Sequence, residues 1–91
     1  MKKIKFNDTD LEINYTNSLS SGAGHKKITV ELYFNDEYKT FSAVTSNMPD
    51  YDEATNLEGS DKDEALFRII EWQINDEIET WIFENKTKNL S

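Results

Sequence analysis

Apolar residues between positions 60 and 85 recur every three or four residues, which is the period of an α-helix. Ser60 supplies an oxygen for the N-cap, and Asp63 is a shorter form of the capping-box acid. The pattern predicts one long amphipathic helix over 60–85 whose broad apolar face packs into the core. The residues on that face are Leu66, Phe67, Ile70, Ile74, Ile78, Trp81 and Ile82.

A second apolar stripe lies on the opposite side of the same predicted helix. It consists of Ala65, Ile69, Trp72 and Phe83. A helix that packs on one sheet needs a polar outer face, so the stripe is either covered by neighbouring loops or exposed. Because exposed apolar patches often mark interaction sites, the second alternative points to binding. The sequence leaves both alternatives open.

Before the helix, apolar and polar residues alternate with the period of two that is typical of strands. Residues 2–17 are interpreted as a β-hairpin with a four-residue loop at 7–10, and one bent strand is the alternative. In this register Leu11, Ile13 and Tyr15 share a face.

A second hairpin follows a segment rich in small residues, 18–25, which predicts a mobile loop. Its strands cover 26–35 and 38–45, with a turn at 35–37. Ile28, Val30, Leu32 and Phe34 are expected to share one face of the first strand, and Phe41 and Ala43 one face of the second.

The segment 46–59 connects the last strand to the helix. It is acidic and contains Pro49, which is excluded from a central strand, so we expect a long acidic loop. The order ββββα predicts an α+β fold: an antiparallel β-meander of three to four strands, then one long C-terminal amphipathic helix packed on one face. Residues 1–91 would form a single domain that ends in a short tail at 86–91.

Composition narrows the class of protein. The 91 residues include no cysteine, which excludes disulfides and thiolate metal sites. No segment approaches the roughly 18 continuous apolar residues of a membrane span, and the N-terminal residues lack the apolar run of a signal peptide. We therefore expect a cytoplasmic protein with no membrane partner.

The charge is unevenly distributed along the chain. Residues 1–30 carry five Lys against three Asp/Glu, a net of +2, and residues 31–91 carry the remaining −10 of the total of −8. Between positions 50 and 79 there are eleven Asp or Glu residues and only two basic residues, Lys62 and Arg68. Such a surface repels phosphates and lipid headgroups. We therefore expect no direct nucleic-acid binding and favour a basic protein surface as the partner.

No catalytic or cofactor motif is recognisable. The glycines at 22–24 are followed by a predicted strand, whereas a phosphate-binding loop needs a helix there, and His25 is the only histidine. An EF-hand-like spacing is present but incomplete, because Ala54 and Thr55 replace a ligand and the turn glycine. Its acidic positions are Asp50, Asp52, Glu58 and Asp61. We expect no enzyme, cofactor or metal site, with a weak metal- or anion-binding module as an alternative.

The resulting hypothesis is a non-catalytic acidic protein-binding module. The favoured target is the basic groove of a nucleic-acid-handling enzyme, which would make the chain an inhibitor that mimics nucleic acid, of the anti-defence type that phages and mobile elements carry. The alternative is a homodimer or other oligomer formed through the stripe at Ile69, Trp72 and Phe83. The predicted partner-binding residues are Asp50, Asp52, Glu53, Asp61, Asp63, Glu64, Ile69, Glu71, Trp72, Asp76 and Glu79.

Overall fold

The predicted α+β architecture is confirmed. A computed structural model describes the backbone of residues 2–88 and the side chains of residues 2–86. Four antiparallel strands form one sheet in the order β1-β2-β3-β4, and a long helix packs on one face of it. The elements are β1 (Lys2–Phe6), β2 (Thr9–Ser20), β3 (Lys26–Phe34), β4 (Glu37–Thr45), α1 (Met48–Thr55) and α2 (Gly59–Lys88).

The first and last hairpins both turn on an Asn-Asp pair. Asn7, Asp8, Asn35 and Asp36 have positive φ angles of 46°, 68°, 56° and 66°. Two such residues in succession form a two-residue turn whose twist matches that of the flanking strands, and Asn and Asp tolerate this conformation. Residues 2–17 are therefore a hairpin and not one bent strand, with a loop of two residues where the sequence predicted four.

A β-bulge at Asn14 reverses the side-chain alternation of β2. Ile13 and Tyr15 pair with consecutive residues of β3, so Asn14 is the extra residue. The prediction that Tyr15 shares the inward face of Ile13 is wrong, because beyond the bulge the exposed Tyr15 lies on the outer face. Thr16 and Ser18 take the inward positions instead and bond residues of α2 and α1. β2 also continues through Ser20, so the loop predicted over 18–25 is shorter.

The segment 46–59 is not an irregular loop, because it contains α1. Asn47 caps this helix by accepting a hydrogen bond from the backbone N–H of Asp50, at 3.2 Å. Pro49 lies in the first turn, where a helix needs no internal N–H donor. The prediction considered proline only as a strand breaker and missed its role at a helix start.

α2 covers the inner face of the sheet and contacts all four strands. It begins one residue before the predicted Ser60 cap and continues to Lys88, so it includes part of the tail predicted at 86–91. Residues 89–91 lie outside the described part. All seven residues of the predicted core face are buried. The full buried apolar set is Ile4, Phe6, Leu11, Ile13, Ile28, Val30, Leu32, Phe41, Ala54, Leu66, Phe67, Ile70, Ile74, Ile78, Trp81 and Ile82.

Side-chain hydrogen bonds fix both ends of α2 against the sheet. Near its start Thr16 Oγ1 donates to Asp63 at 2.6 Å. Near its end Asn35 Nδ2 donates to the backbone oxygen of Asn85 at 3.0 Å. The helix therefore runs alongside the strands from the β2–β3 end of the sheet to the end with the Asn-Asp turns. Within residues 2–88 no helix is long and apolar enough to cross a membrane.

Truncating a core residue of α2 should destabilise the fold strongly. Ile78 is fully buried, so Ile78→Ala should lower the free energy of unfolding by about 2–5 kcal/mol through lost burial and the cavity left behind. Thr80→Ala changes an exposed position of the same helix and should alter it by less than about 0.5 kcal/mol. Urea denaturation followed by circular dichroism measures both. Equal losses would contradict the assignment of the core face.

Candidate functional site

The side of α2 that points away from the sheet carries residues spaced alternately four and three apart, which places them in one row. We call this row the outer face of α2. It consists of Ala65, Ile69, Trp72, Asp76, Glu79 and Phe83. It includes the whole apolar stripe that the sequence indicated, together with two carboxylates.

α1 covers the first part of the outer face and leaves the rest exposed. Ala65 and Ile69 are half-buried and pack against the core, and they line a cavity of about 290 Å³ with Ala54 and other residues of α1 and the α1–α2 connection. Trp72 and Phe83 are 77% and 68% exposed. The segment before α2 therefore covers Ala65 and Ile69, whereas Trp72 and Phe83 are exposed.

Trp72 and Phe83 form two separated apolar points on the outer face. They are eleven residues apart, which is about 16 Å along the helix and within about 20° of the same direction. Asp76 and Glu79 lie between them. Trp72 also borders a groove of about 490 Å³ that reaches His25 and the end of β4. The arrangement presents two aromatic side chains separated by negative charge.

Six of the nine predicted carboxylates have partners within the fold. Lys2 contacts both Asp61 and Glu64 at 3.6 Å, and Arg68 contacts Glu64 at 3.5 Å and Glu71 at 2.8 Å. The Lys2 pairs connect β1 with α2, the Arg68 pairs lie within α2, and together they neutralise much of the acidity of the first half of the helix. Exposed ion pairs of this kind contribute about 1 kcal/mol or less each, so they orient more than they stabilise.

The other three partnered carboxylates accept hydrogen bonds. Asp63 accepts from Thr16 at the β2 bulge side, and Glu79 accepts from Asn7 in the first turn at 2.8 Å. Asp50 accepts from the cap residue Asn47 at 2.6 Å. The sequence assigned all six partnered carboxylates to a partner-binding surface, but each of them also forms a contact within the fold.

The remaining predicted carboxylates, Asp52, Glu53 and Asp76, are exposed. In the part of the chain that the structure describes, their side chains have no hydrogen bond or ion pair. Glu77, which the prediction omitted from the site, has the same status. These four residues are the uncompensated negative charge of α1 and the middle of α2. Uncompensated negative charge therefore lies both on α1 and, at Asp76, between Trp72 and Phe83.

The structure also bears on the metal alternative. α1 separates Asp50 and Asp52 by about 200° around its axis, which removes the loop geometry that the EF-hand-like spacing requires. Among the described residues no three His, Asp or Glu side chains are grouped to hold a metal ion. His25 is exposed, and its Nδ1 lies 2.8 Å from the backbone oxygen of Ala23.

Comparisons of the chain with protein-family models, curated proteins and solved structures yield no match. Function must therefore be inferred from this chain's own surfaces. Sequence reasoning placed Phe83 in the apolar stripe but left it out of the partner-binding set. The heptad-like spacing of Trp72, Asp76, Glu79 and Phe83 indicates that they share one helix face. This signal could have placed Phe83 in the partner-binding set.

A second aromatic surface, formed by the half-buried Tyr33 and the exposed Tyr38, lies on the uncovered face of the sheet. The rings of Tyr33 and Tyr38, on β3 and β4, are 4.9 Å apart between centroids. The hydroxyl of Tyr33 donates to Asp36 at 2.7 Å, and this bond raises the pKa of Tyr33 because it favours the protonated phenol. The Tyr33–Asp36 hydrogen bond therefore stabilises the second Asn-Asp turn from the uncovered face of the sheet.

The two tryptophans should differ sharply in solvent contact. Trp72 is 77% exposed and Trp81 is 6% exposed, so each can be observed alone after the other is replaced. Trp81→Phe should leave red-shifted emission that acrylamide quenches several times more efficiently than the emission left by Trp72→Phe. Fluorescence quenching on the folded variants measures this difference. Similar quenching of both residues would show that Trp72 is covered.

Proposed function

We propose that the chain is a non-catalytic binding module whose outer face of α2 engages a basic protein surface. The observation that carries the proposal is the exposure of Trp72 beside uncompensated carboxylates. Large aromatic side chains supply most of the energy in many interfaces, because they remove much apolar area from water at little entropic cost. Asp76 and Glu77 then favour a partner whose own surface is positive.

Charge argues against self-association through the same face. In an antiparallel pair of α2 helices that places Trp72 against Phe83 of a second copy, Asp76 of each copy faces Glu79 of the other. A parallel pair places Asp76 against Asp76. Either arrangement brings like charges together, which costs free energy and disfavours a wrong partner. A basic surface with two apolar sockets fits both aromatic residues and the charge between them.

The density of negative charge supports a narrower version of the proposal. Asp76, Glu77, Glu79 and Glu84 are exposed and lie within eight residue steps, which is about 12 Å of helix. Their average spacing of about 4 Å approaches the ~3.4 Å between charges of a single nucleic-acid strand. We therefore propose that the basic surface is the nucleic-acid groove of an enzyme and that binding inhibits it, as expected of an anti-defence protein.

Replacing Trp72 should weaken partner binding without unfolding the protein. The immobilised wild-type chain and Trp72→Ala are exposed to the same host lysate, and captured proteins are eluted in steps of increasing salt. Loss of an interface tryptophan should weaken affinity by about 2 kcal/mol or more, which is roughly 30-fold. Competition by a single-stranded oligonucleotide then tests whether the captured protein uses its nucleic-acid groove. Capture that Trp72→Ala leaves unchanged would overturn the proposal.

Charge-reversal variants test whether partner binding depends on the assigned acidic surface or only on the net charge of the chain. The change of Asp52, Glu53 and Asp76 to Lys alters the formal net charge from −8 to −2, because each reversal adds two units. It should weaken binding and flatten its dependence on salt. The control reverses Asp10, Glu12 and Glu31, which lie on β2 and β3 away from α2, with the same change in net charge. If both triple variants lose affinity equally, only total charge matters and the assigned surface is wrong.

A further inference from the structure

The two edge strands of the sheet, β1 and β4, differ in whether their outward-pointing backbone N–H and C=O groups are available for hydrogen bonds. The two-residue turn after β3 makes Phe34 and Glu37 a pair that exchanges both ladder hydrogen bonds, and such pairs alternate along a hairpin. The N–H and C=O groups that point away from β3 are therefore those of Tyr38, Thr40, Ser42 and Val44. Gln73 Nε2 donates to the oxygen of Val44 at 2.9 Å, which agrees with this direction.

The edge formed by β1 is short and protected. β1 has five residues, three of which are lysines, and Lys side chains discourage pairing with another strand. Arg68 Nη2 also donates to the outward-pointing oxygen of Lys5 at 3.2 Å. An additional strand is therefore blocked by side chains at this edge.

The edge formed by β4 is longer and largely open. β4 has nine residues with Lys39 as its one lysine, and only the Val44 end is occupied by Gln73. Within the described residues, the outward backbone groups of Tyr38, Thr40 and Ser42 receive no hydrogen bond from outside the sheet. Three successive outward positions are thus available to pair with an incoming strand.

An acidic groove lies between this open edge and α2. It has a volume of about 510 Å³ and Trp81 contributes to its lining. Three carboxylates, those of Asp76, Glu77 and Glu84, line it together with the single cation of Lys39. In a strand added beside β4, alternate side chains would point to the same side of the sheet as α2, where these carboxylates lie.

We propose that β4 accepts an extended basic segment of a partner protein as a fifth strand, with Lys or Arg at alternate positions facing the carboxylates of α2. Main-chain hydrogen bonds to Tyr38, Thr40 and Ser42 provide the attachment, and the basic side chains provide specificity. The acidic groove favours this occupant over a second copy, because β4-to-β4 pairing brings the acidic flanks of two α2 helices towards each other. This surface is separate from Trp72 and extends beyond the proposed function of the outer face.

The test uses two nine-residue peptides, one with lysine alternating with threonine and one with glutamate in place of each lysine. Titration of the isotope-labelled full chain should shift the amide signals of Tyr38, Thr40 and Ser42 with the lysine peptide alone. Those amides should also exchange more slowly with solvent when the peptide is bound. Equal binding of the glutamate peptide, or shifts confined to the surroundings of Trp72, would overturn the proposal.

Variants then separate edge pairing from simple charge attraction. Thr40→Pro removes an outward N–H and obstructs an added strand, while no bond to β3 is lost. It should lower affinity for the lysine peptide at least tenfold. Lys3→Pro, the same change at an outward position of β1, should leave affinity within twofold. Glu77→Lys keeps the edge intact and should also lower affinity at least tenfold, so the proposal stays testable even where the proline variant does not fold.

Two further measurements identify the occupant of the β4 edge. Trp72→Ala should bind the lysine peptide as the wild type does, so failure at β4 and failure of the outer face are distinguishable. Sedimentation velocity without peptide measures self-association. A stable dimer that Thr40→Pro dissociates would assign the edge to a second copy and overturn the proposal for a basic segment.

Discussion

The structure depends on the contact between one long helix and the whole inner face of the sheet. α2 has thirty residues and a length of about 45 Å, close to the longest dimension of the molecule, 47 Å. Ile70, Ile74 and Ile78 form the centre of this contact and are almost completely buried. Because a single helix buries only part of its circumference against a sheet, the part of α2 that α1 does not cover and the far side of the sheet stay exposed.

The acidic residues of this chain divide into two groups with different roles. Carboxylates near the start of α2 pair with Lys2 and Thr16, which connects the helix to the first two strands, and with Arg68 of the same helix. The side chains of Asp52 and Glu53 in α1 and of Asp76 and Glu77 in α2 have no hydrogen bond or ion pair within the described residues. The first group orients the helix and the second determines the electrostatic character of the exposed surface.

The two proposed surfaces use different chemistry but select for the same kind of partner. The outer face of α2 offers aromatic area at Trp72 and Phe83, whereas β4 offers backbone hydrogen bonds. Asp76 belongs to the outer face and Glu77 lies beside it towards β4, and both line the groove next to β4, so positive charge is favoured at both surfaces. A basic protein that presents an apolar element and an extended segment could occupy both surfaces at once, with the gain in affinity expected of linked sites.

Local patterns in the sequence determined the meander, the long helix and its core face, because hydrophobic periodicity and turn chemistry act over a few residues. Three features needed the tertiary structure: the bulge at Asn14, the folding of α1 over part of the apolar stripe, and the pairing of individual carboxylates. The bulge places Thr16 against Asp63, 47 residues further along the chain. Whether Trp72 is covered depends on where α1 packs. Contacts between distant segments decide both, and no local period encodes them.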